Sequence, residues 1–343
     1  MQLKSKSSLR DVTTGMNIFQ NNFYHLGMNK ISRLSHSSLS DAMKSRPYEV
    51  FESFFYELLD KAYLYKSTKG IKGAKRLRKI LKLLDSTTIS LCKNMYDWAK
   101  FRKTKSGIKL HTVFDADLLA PVQILITNAK KHDVSIVDEI EIKKGEMYVF
   151  DRGYNCIKYW NNIDLAGAFF VTRLKKNAKY HVLKKKVYTG RNGVLSDRII
   201  KIKGTNANDY NSKLRLVKYY DKETNKTFDF VTNDFKTSAK EIANIYKMRW
   251  GIELFFKWIK QHLKIKKIIS TSENGLKVQI WCAMILYLSL LLIKLECTIN
   301  IDLFEVYRRI QDALFERIEV FRLITNRFEI PEKIDVEDEA YLW

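Results

Sequence analysis

Four polar residues, Tyr246, Arg249, Glu253 and Lys260, punctuate the apolar segment YKMRWGIELFFKWIK. Their spacings of three, four and seven are helical. At ~100° per residue and with Tyr246 at zero, Arg249 falls near ~300°, Lys260 near ~320° and Glu253 near ~340°. A hydroxyl, a guanidinium, a carboxylate and an ammonium thus share one stripe about 60° wide. Phe255, Met248, Ile259, Ile252, Ile245 and Phe256 fill the neighbouring arc, the face such a helix buries. Two more carboxylates fall on strand-like runs: Asp85 in the middle of ILKLLDSTTISL, and Asp151 where EMYVFDRGY turns polar. An anion inside an apolar strand is costly unless a cation or hydrogen bonds offset it. Two strand carboxylates and a third on a packed helix can hold two Mg²⁺ ions ~4 Å apart, an arrangement suited to phosphoryl transfer. Each residue also has a plainer reading. Asp85 can be a strand-end polar residue, Asp151 can pair with Arg152, and Glu253 can pair with Arg249 on a solvated helix edge, worth about 0.2–0.5 kcal/mol.

The chain must supply elements that bring these residues together, and its length allows that. It has 343 residues, 46% of them hydrophobic, enough for one large domain or two to three smaller ones. Lys and Arg number 61 against 38 Asp and Glu, a net charge of +23 that favours a polyanionic partner. Cys92, Cys156, Cys282 and Cys297 form no Cys-x-x-Cys pair, which argues against zinc or a disulfide framework and fits a reducing cytoplasm. The basic start MQLKSKSSLR leads to no apolar signal core. The run VQIWCAMILYLSLLLI has 16 residues and contains Gln279. It is shorter than the ~20 residues a membrane span needs, so it reads as a buried core helix. Nucleic acid, rather than a membrane, is then the expected partner.

Residues 1–65 read as helices, with Ser8 as an N-cap of the first and Pro47 opening the third. Ser37 to Lys44 could be the groove-facing piece of a helix-turn-helix; a plain bundle fits equally. A basic glycine-containing linker, 66–79, follows. ILKLLDSTTISL, GIKLHTVFDAD and APVQILITNA read as strands, and HDVSIVDEIEI as a helix with His132-Asp133 as its cap. EMYVFDRGY and AGAFFVTRL are strands around the helix NCIKYWNNI, so the domain is mixed α/β. From Arg173 to Lys226 short alternating strands carry 16 Lys/Arg against 4 Asp/Glu, and the run Lys184, Lys185, Lys186 is placed to track DNA phosphates. His111, between basic strand positions, reads as strand surface or DNA-proximal. The stretch Tyr287–Ile293 reads as core, and the chain after Asn300 as helical.

These residues resemble the DDE transposases of bacterial insertion sequences, in the subgroup with a Tyr-x2-Arg-x3-Glu-x6-Lys signature (the IS-four type). Tyr246, Arg249, Glu253 and Lys260 match that signature, DSTTI and DRGY match the two aspartate motifs, and the likeness covers roughly residues 80–290. The resemblance implies an RNase H-like catalytic core, a mixed sheet with flanking helices, interrupted by a β-rich insertion. The division it suggests is 1–75 (helical, DNA-binding, with linker), 76–172 (first core part), 173–235 (basic insertion), 236–298 (second core part) and 299–343 (helical end). It makes Asp85, Asp151 and Glu253 the catalytic, metal-binding triad for two Mg²⁺ ions, with Mn²⁺ as a substitute. It assigns Tyr246, Arg249 and Lys260 to DNA phosphates. The implied partners are double-stranded DNA, both element terminal inverted repeats and target, with two copies of the chain in a synaptic complex and no membrane. The implied reaction is cut-and-paste transposition. A nuclease of the same fold without strand transfer, or a catalytically silent DNA-binding derivative, are the alternatives. Two features depart from the family. Some members stack a flipped base on a tryptophan of the insertion, but here no Trp lies between Trp160 and Trp250, leaving Tyr188, Tyr210, Tyr219 or Phe228 as substitutes. The part before the core is also short, which implies a truncated copy or a late start.

Overall fold

The computed structural model describes residues 8–22, 33–69, 79–92, 96–102, 105–186, 191–203, 210, 212–263, 265, 268–297, 301–314 and 318–325. They fall into two compact units, residues 42–288 and residues 1–41 with 289–343. In the smaller unit, α1 (Leu9–Ile18) starts on a reciprocal cap. Ser8 Oγ accepts from the Asp11 amide at 3.1 Å, and the Asp11 carboxylate accepts from the Ser8 amide at 3.0 Å. The Asn17 amide brackets the backbone of Leu34, just before α2 (His36–Ser45). At the other end of the chain are α8 (Leu303–Asp312) and α9 (Val320–Thr325), joined by the Arg309 guanidinium on the Ile324 carbonyl at 2.6 Å.

The larger unit is built on one sheet, ten strands among the described residues. Its first half holds β1 (Leu81–Leu91), β2 (Lys100–Arg102), β3 (Lys105–Asp115), β4 (Ala120–Asn128), β5 (Met147–Phe150) and β6 (Phe169–Arg173). β4, β3 and β1 pair antiparallel, whereas β1, β5 and β6 run parallel, with α4 (Ile157–Leu165) as the crossover. That is the RNase H-like arrangement the sequence led us to expect. The insertion supplies β7 (Lys179–Lys186), β8 (Val194–Lys203), β9 (Leu214–Asp221) and β10 (Lys226–Thr232). It does not stand apart. β10 pairs with β6, so β10, β9, β8 and β7 continue the core sheet outward as an antiparallel meander.

Alternation along the strands sorts their side chains onto two covered faces. On one face Leu84, Phe150 and Phe170 pack with Ile136, Tyr159 and Trp160 from the connecting segments. On the other lie α5 (Ala239–Lys247) and α6 (Trp250–His262), where Gly251 faces Leu83 and Phe255 meets Phe114 at 5.1 Å. α3 (Glu49–Lys69) and α7 (Glu273–Cys297) complete the layer, with Phe55 and Trp281 rings 5.4 Å apart. Asn274 at the start of α7 accepts from the Tyr48 amide and donates to the carbonyls of Met43, Lys44 and Arg46, which holds the α2–α3 junction. At 25 residues α7 is longer than the apolar run suggested, and by length and composition it could cross a membrane. Most of its apolar window is nevertheless buried, and Gln279 lies inside, accepting from the Ile269 amide at 3.0 Å. The expected helix at HDVSIVDEIEI is instead a 3₁₀ segment over Asp133–Glu139. Seven residues lie between the His132 N-cap and the extended backbone at Ile140.

One buried ion pair ties the insertion to the helices that follow it. Arg215 on β9 donates to both Asp197 oxygens on β8, at 2.9 and 2.8 Å, and its remaining nitrogen donates to the carbonyls of Asp234 (3.2 Å) and Thr237 (2.5 Å) just before α5. Both side chains are only 3% exposed. Arg215→Met strips Asp197 of its guanidinium inside the protein, and such a break is expected to cost ~3–5 kcal/mol. The double variant Arg215→Met/Asp197→Leu should recover most of that loss. Urea unfolding midpoints of the three proteins test this, and a single variant as stable as the parent would show that the pair contributes nothing to stability.

Candidate active site

Asp85 lies on β1 opposite Thr112 of β3, on the sheet face that α6 covers. The parallel pairing of β1 with β5 ends at Leu84 beside Phe150, which sets Asp85, within β1, beside Asp151, just past the end of β5. Each aspartate is steadied locally. The Ser86 amide donates to Asp85 Oδ1 at 2.8 Å, and the Gly153 amide donates to Asp151 Oδ1 at 2.6 Å. Burial pushes the Asp85 carboxyl up to about 6; the Ser86 amide and Arg249 pull it back, while Asp151 and Glu253 push it further up.

The third carboxylate comes from a bent helix pair. α5 starts on its Ser238 cap, but the signature segment is not one continuous helix. It breaks at Met248–Arg249, where the Gly251 amide reaches only to the Met248 carbonyl and Ile252 only to Arg249. This 3₁₀ tightening turns Met248 outward to 37% exposure, instead of into the apolar arc. Ile245, Ile252, Phe255, Phe256 and Ile259 are buried as expected. The break also aims Arg249 at the strand ends. Its Nη1 donates to Asp85 Oδ2 at 2.7 Å and its Nη2 donates to Glu253 Oε1. The plain Arg249–Glu253 pair is therefore present, but it extends across to Asp85. Tyr246 packs its ring on Phe230, with centroids 4.8 Å apart, and burial raises its hydroxyl pKa. Lys260 is half-buried two turns beyond Glu253, and Lys257 is exposed.

Among the described residues no three His, Cys, Asp or Glu side chains are already drawn into a metal-holding group. Asp85 and Glu253 do converge on one cation, the Arg249 guanidinium. An all-carboxylate donor set of this kind suits a hard divalent ion such as Mg²⁺ or Mn²⁺. The insertion lysines lie elsewhere. β7 is the outer edge strand, six strands from β1, which is roughly 29 Å at ~4.8 Å per strand. Lys184 and Lys185 are exposed there, and Lys186 ends the strand. Of the aromatic residues considered for base stacking, Tyr210 and Tyr219 are buried, and Phe228 stacks on Phe230 with Arg173 over its ring. Tyr188 falls outside the described residues.

Two readings are corrected on the opposite face of the sheet. His111 is not at the surface: it is 1% exposed between β1 and β4. His132 holds the N-cap position of the 3₁₀ segment but makes no side-chain cap bond. Asp133 does not cap the segment either. Its Oδ1 accepts from Ser86 Oγ at 2.6 Å and from Lys109 Nζ at 3.3 Å, with His111 Nδ1 3.5 Å away. The available signal was the placement of Lys109 and His111 two apart on β3, which puts both on one face.

With β4, β3 and β1 antiparallel and β1, β5 and β6 parallel, the sheet has the RNase H-like topology. The transposase DDE domain matches residues 77–289, more than half the chain, and the chain belongs to the DDE transposases of bacterial insertion sequences. A protein of Sinorhizobium fredii named as a transposase is 34% identical over 82% of this chain and 78% of its own. The transposase named for insertion sequence element IS5377 of Geobacillus stearothermophilus is 27% identical over 76% and 67%. That named for element IS4SA of Synechocystis is 29% identical over 82% and 78%. The protein is thus a DNA transposase.

His111 faces Asp133, Lys109, Ser86 and Thr127, with Lys131 and Glu139 beyond. Burial pushes its imidazole down to about 4, against a partial upward pull from Asp133. A group that protonates less readily when folded leaves stability whole above its unfolded value of ~6.5, and stability falls as pH drops from there toward about 4. His111→Gln is expected to flatten that fall by up to ~1.4 kcal/mol per pH unit. Urea unfolding at a series of pH values reads the slope, and identical slopes for the two proteins would overturn the assignment.

Proposed function

We infer that the protein cuts the ends of its own element and joins them to target DNA, with Asp85, Asp151 and Glu253 as the ligands of two Mg²⁺ ions. The observation that carries this reading is the convergence of Asp85 and Glu253 on one cation, the Arg249 guanidinium, with Asp151 beside Asp85 at the end of the neighbouring strand. Two divalent ions bound there would supply the charge that activates the attacking oxygen and offsets the leaving one, with Mn²⁺ able to replace Mg²⁺. The chain's own residues do the rest. Asp85 and Asp151 each have Oδ1 engaged by a backbone amide, and Asp85 Oδ2 is held by Arg249, the cation that a metal ion would replace. Arg249, once released from Asp85 and Glu253, is a guanidinium at the scissile position, shaped for bidentate contact with a phosphate. Lys260 adds a second positive charge on the same helix, and the Tyr246 hydroxyl, held by its ring on Phe230, donates a hydrogen bond to the DNA backbone. The sequence of events is hydrolysis at the element end, then in-line attack of the freed 3′-hydroxyl on the target phosphate. Two copies of the chain in a synaptic complex hold the paired ends.

Asp85→Ala, Asp151→Ala and Glu253→Gln are each expected to abolish Mg²⁺-dependent cleavage of element ends while DNA binding persists through contacts elsewhere. A gel assay for cleavage and strand transfer decides. Near-parental cutting by any one variant removes that residue from the ligand set. Cutting without joining by the parent chain would make it a nuclease, and no cutting at all a silent binder.

Lys184, Lys185 and Lys186 are proposed to follow DNA phosphates away from the chemistry. Neutralising all three with Gln is expected to reduce the slope of log affinity against log salt by about 0.9 for each phosphate that a lysine no longer neutralises. An unchanged slope would mean that the run is only solvated surface.

A further inference from the structure

The sheet face opposite Arg249 carries a fourth carboxylate whose position the chemistry above does not use. Asp133 begins the 3₁₀ segment behind the ends of β1 and β5. Its Oδ1 accepts from Ser86 Oγ at 2.6 Å, and Ser86 is the residue whose amide grips Asp85 Oδ1. Its Oδ2 sits beside Gly153, the residue whose amide grips Asp151 Oδ1: a Cβ at Gly153 would stand 3.4 Å from Asp133 Oδ2 and 2.9 Å from Asp151 Oδ1, so a side chain there would crowd both carboxylates. Asp133 is therefore bonded to Ser86 and packed beside Gly153, the two residues that hold the aspartate side chains.

The surroundings are built for that contact. Lys109, whose ammonium is fixed at 3.0 Å by the Lys131 carbonyl, offsets the Asp133 charge from β3. Two buried polar groups, each 1% exposed and without a well-formed hydrogen bond, lie at the same spot: His111 Nδ1, 3.5 Å from Asp133, and the Tyr154 hydroxyl, whose pKa burial raises and Asp133 raises further. Strand alternation explains the sidedness. Asp85 points to the helix face, and Ser86, next along β1, points to the Asp133 face. Asp133 is thus held behind the two strand ends, out of line with a cation bridging Asp85 and Glu253.

We propose that Asp133 is a positioning residue which, through Ser86 on one side and Gly153 on the other, sets the orientation and separation of the Asp85 and Asp151 carboxylates for metal binding. This rests on the reading of Asp85 and Asp151 as metal ligands. Groups that orient a ligand from behind change metal affinity about 10–100-fold when removed.

The test measures Mn²⁺ binding to the folded full chain by electron paramagnetic resonance, with no DNA and no turnover, beside urea unfolding of the same samples. Asp133→Ala is expected to weaken Mn²⁺ binding at least about tenfold. Ser86→Ala should weaken it in the same direction, and the double variant should be no worse than Asp133→Ala alone, because the two act through one path. Asp133→Asn retains an acceptor for Ser86 and should recover part of the affinity; it also serves if the alanine variant does not fold. Asp138→Asn, the same charge change on the exposed side of the same segment, should bind as the parent does. Parental Mn²⁺ affinity in Asp133→Ala or Asp133→Asn, with only stability reduced, overturns the proposal. Asp85→Asn separates the two levels. If it abolishes Mn²⁺ binding while the Asp133 variants do not weaken it, only Asp133 is misassigned. If it also binds as the parent does, the metal reading falls and the positioning role falls with it.

Discussion

Asp85 and Asp151 stand side by side because β1 and β5 run parallel, and two carboxylates so placed at a partly buried strand end repel each other. Much of the surrounding structure manages that repulsion. Burial alone disfavours the Asp85 anion, and its neighbours Asp151 and Glu253 add to the cost. Two contacts oppose it: the backbone amide of Ser86 and the Arg249 guanidinium bridging Asp85 to Glu253. The bridge combines the i,i+4 pair of Arg249 with Glu253 and the reach of the same guanidinium to Asp85 on β1, at the 3₁₀ turn between α5 and α6. A cation-shaped gap between carboxylates is what a divalent ion needs, and here a side chain of the protein itself provides the positive charge.

The ten-stranded sheet turns this local arrangement into a long basic body. Because β10 pairs with β6, the insertion is a rigid extension of the sheet that carries the aspartates. Arg215 fixes the joint by gripping Asp197 on β8 and the turn that leads into α5. The helix pair with Glu253 is therefore referenced to both halves of the sheet. The lysines of β7 lie some 29 Å away along that sheet at ~4.8 Å per strand, a span over which duplex DNA carries roughly 17 phosphate charges at one per ~1.7 Å.

Several features were legible in the residues themselves. Alternating or continuous apolar runs located β1, β3 to β6 and the insertion strands β7 to β9, because a half-buried or doubly buried strand must repeat with period two or be apolar throughout. β2 has three residues and no pattern to read, and β10 was read only as the close of the insertion. The stripe of Tyr246, Arg249 and Glu253 was visible because 3.6-residue periodicity is a local property. Asp85 and Asp151 stood out as charges where apolar strands carry none.

What the sequence by itself determined was therefore the set of elements, the family to which the signature belongs and the carboxylates that break the apolar runs. All of these depend on residues within a few positions of one another. Which strands are neighbours, and in what register, was decided only by tertiary structure, because pairing joins residues as far apart as Leu84 and Phe150. Burial of His111 follows from the segment that brings Asp133 over its face of β3, which no local pattern around His111 encodes. The partner of Arg249 was likewise decided only in the folded sheet: an arginine 164 positions from Asp85 donates to it. Asp133 read as a helix cap because nothing in its own segment points to Ser86 or Gly153. Its partners arrive from β1 and from the turn after β5, and only the folded sheet brings those two strand ends to the same carboxylate.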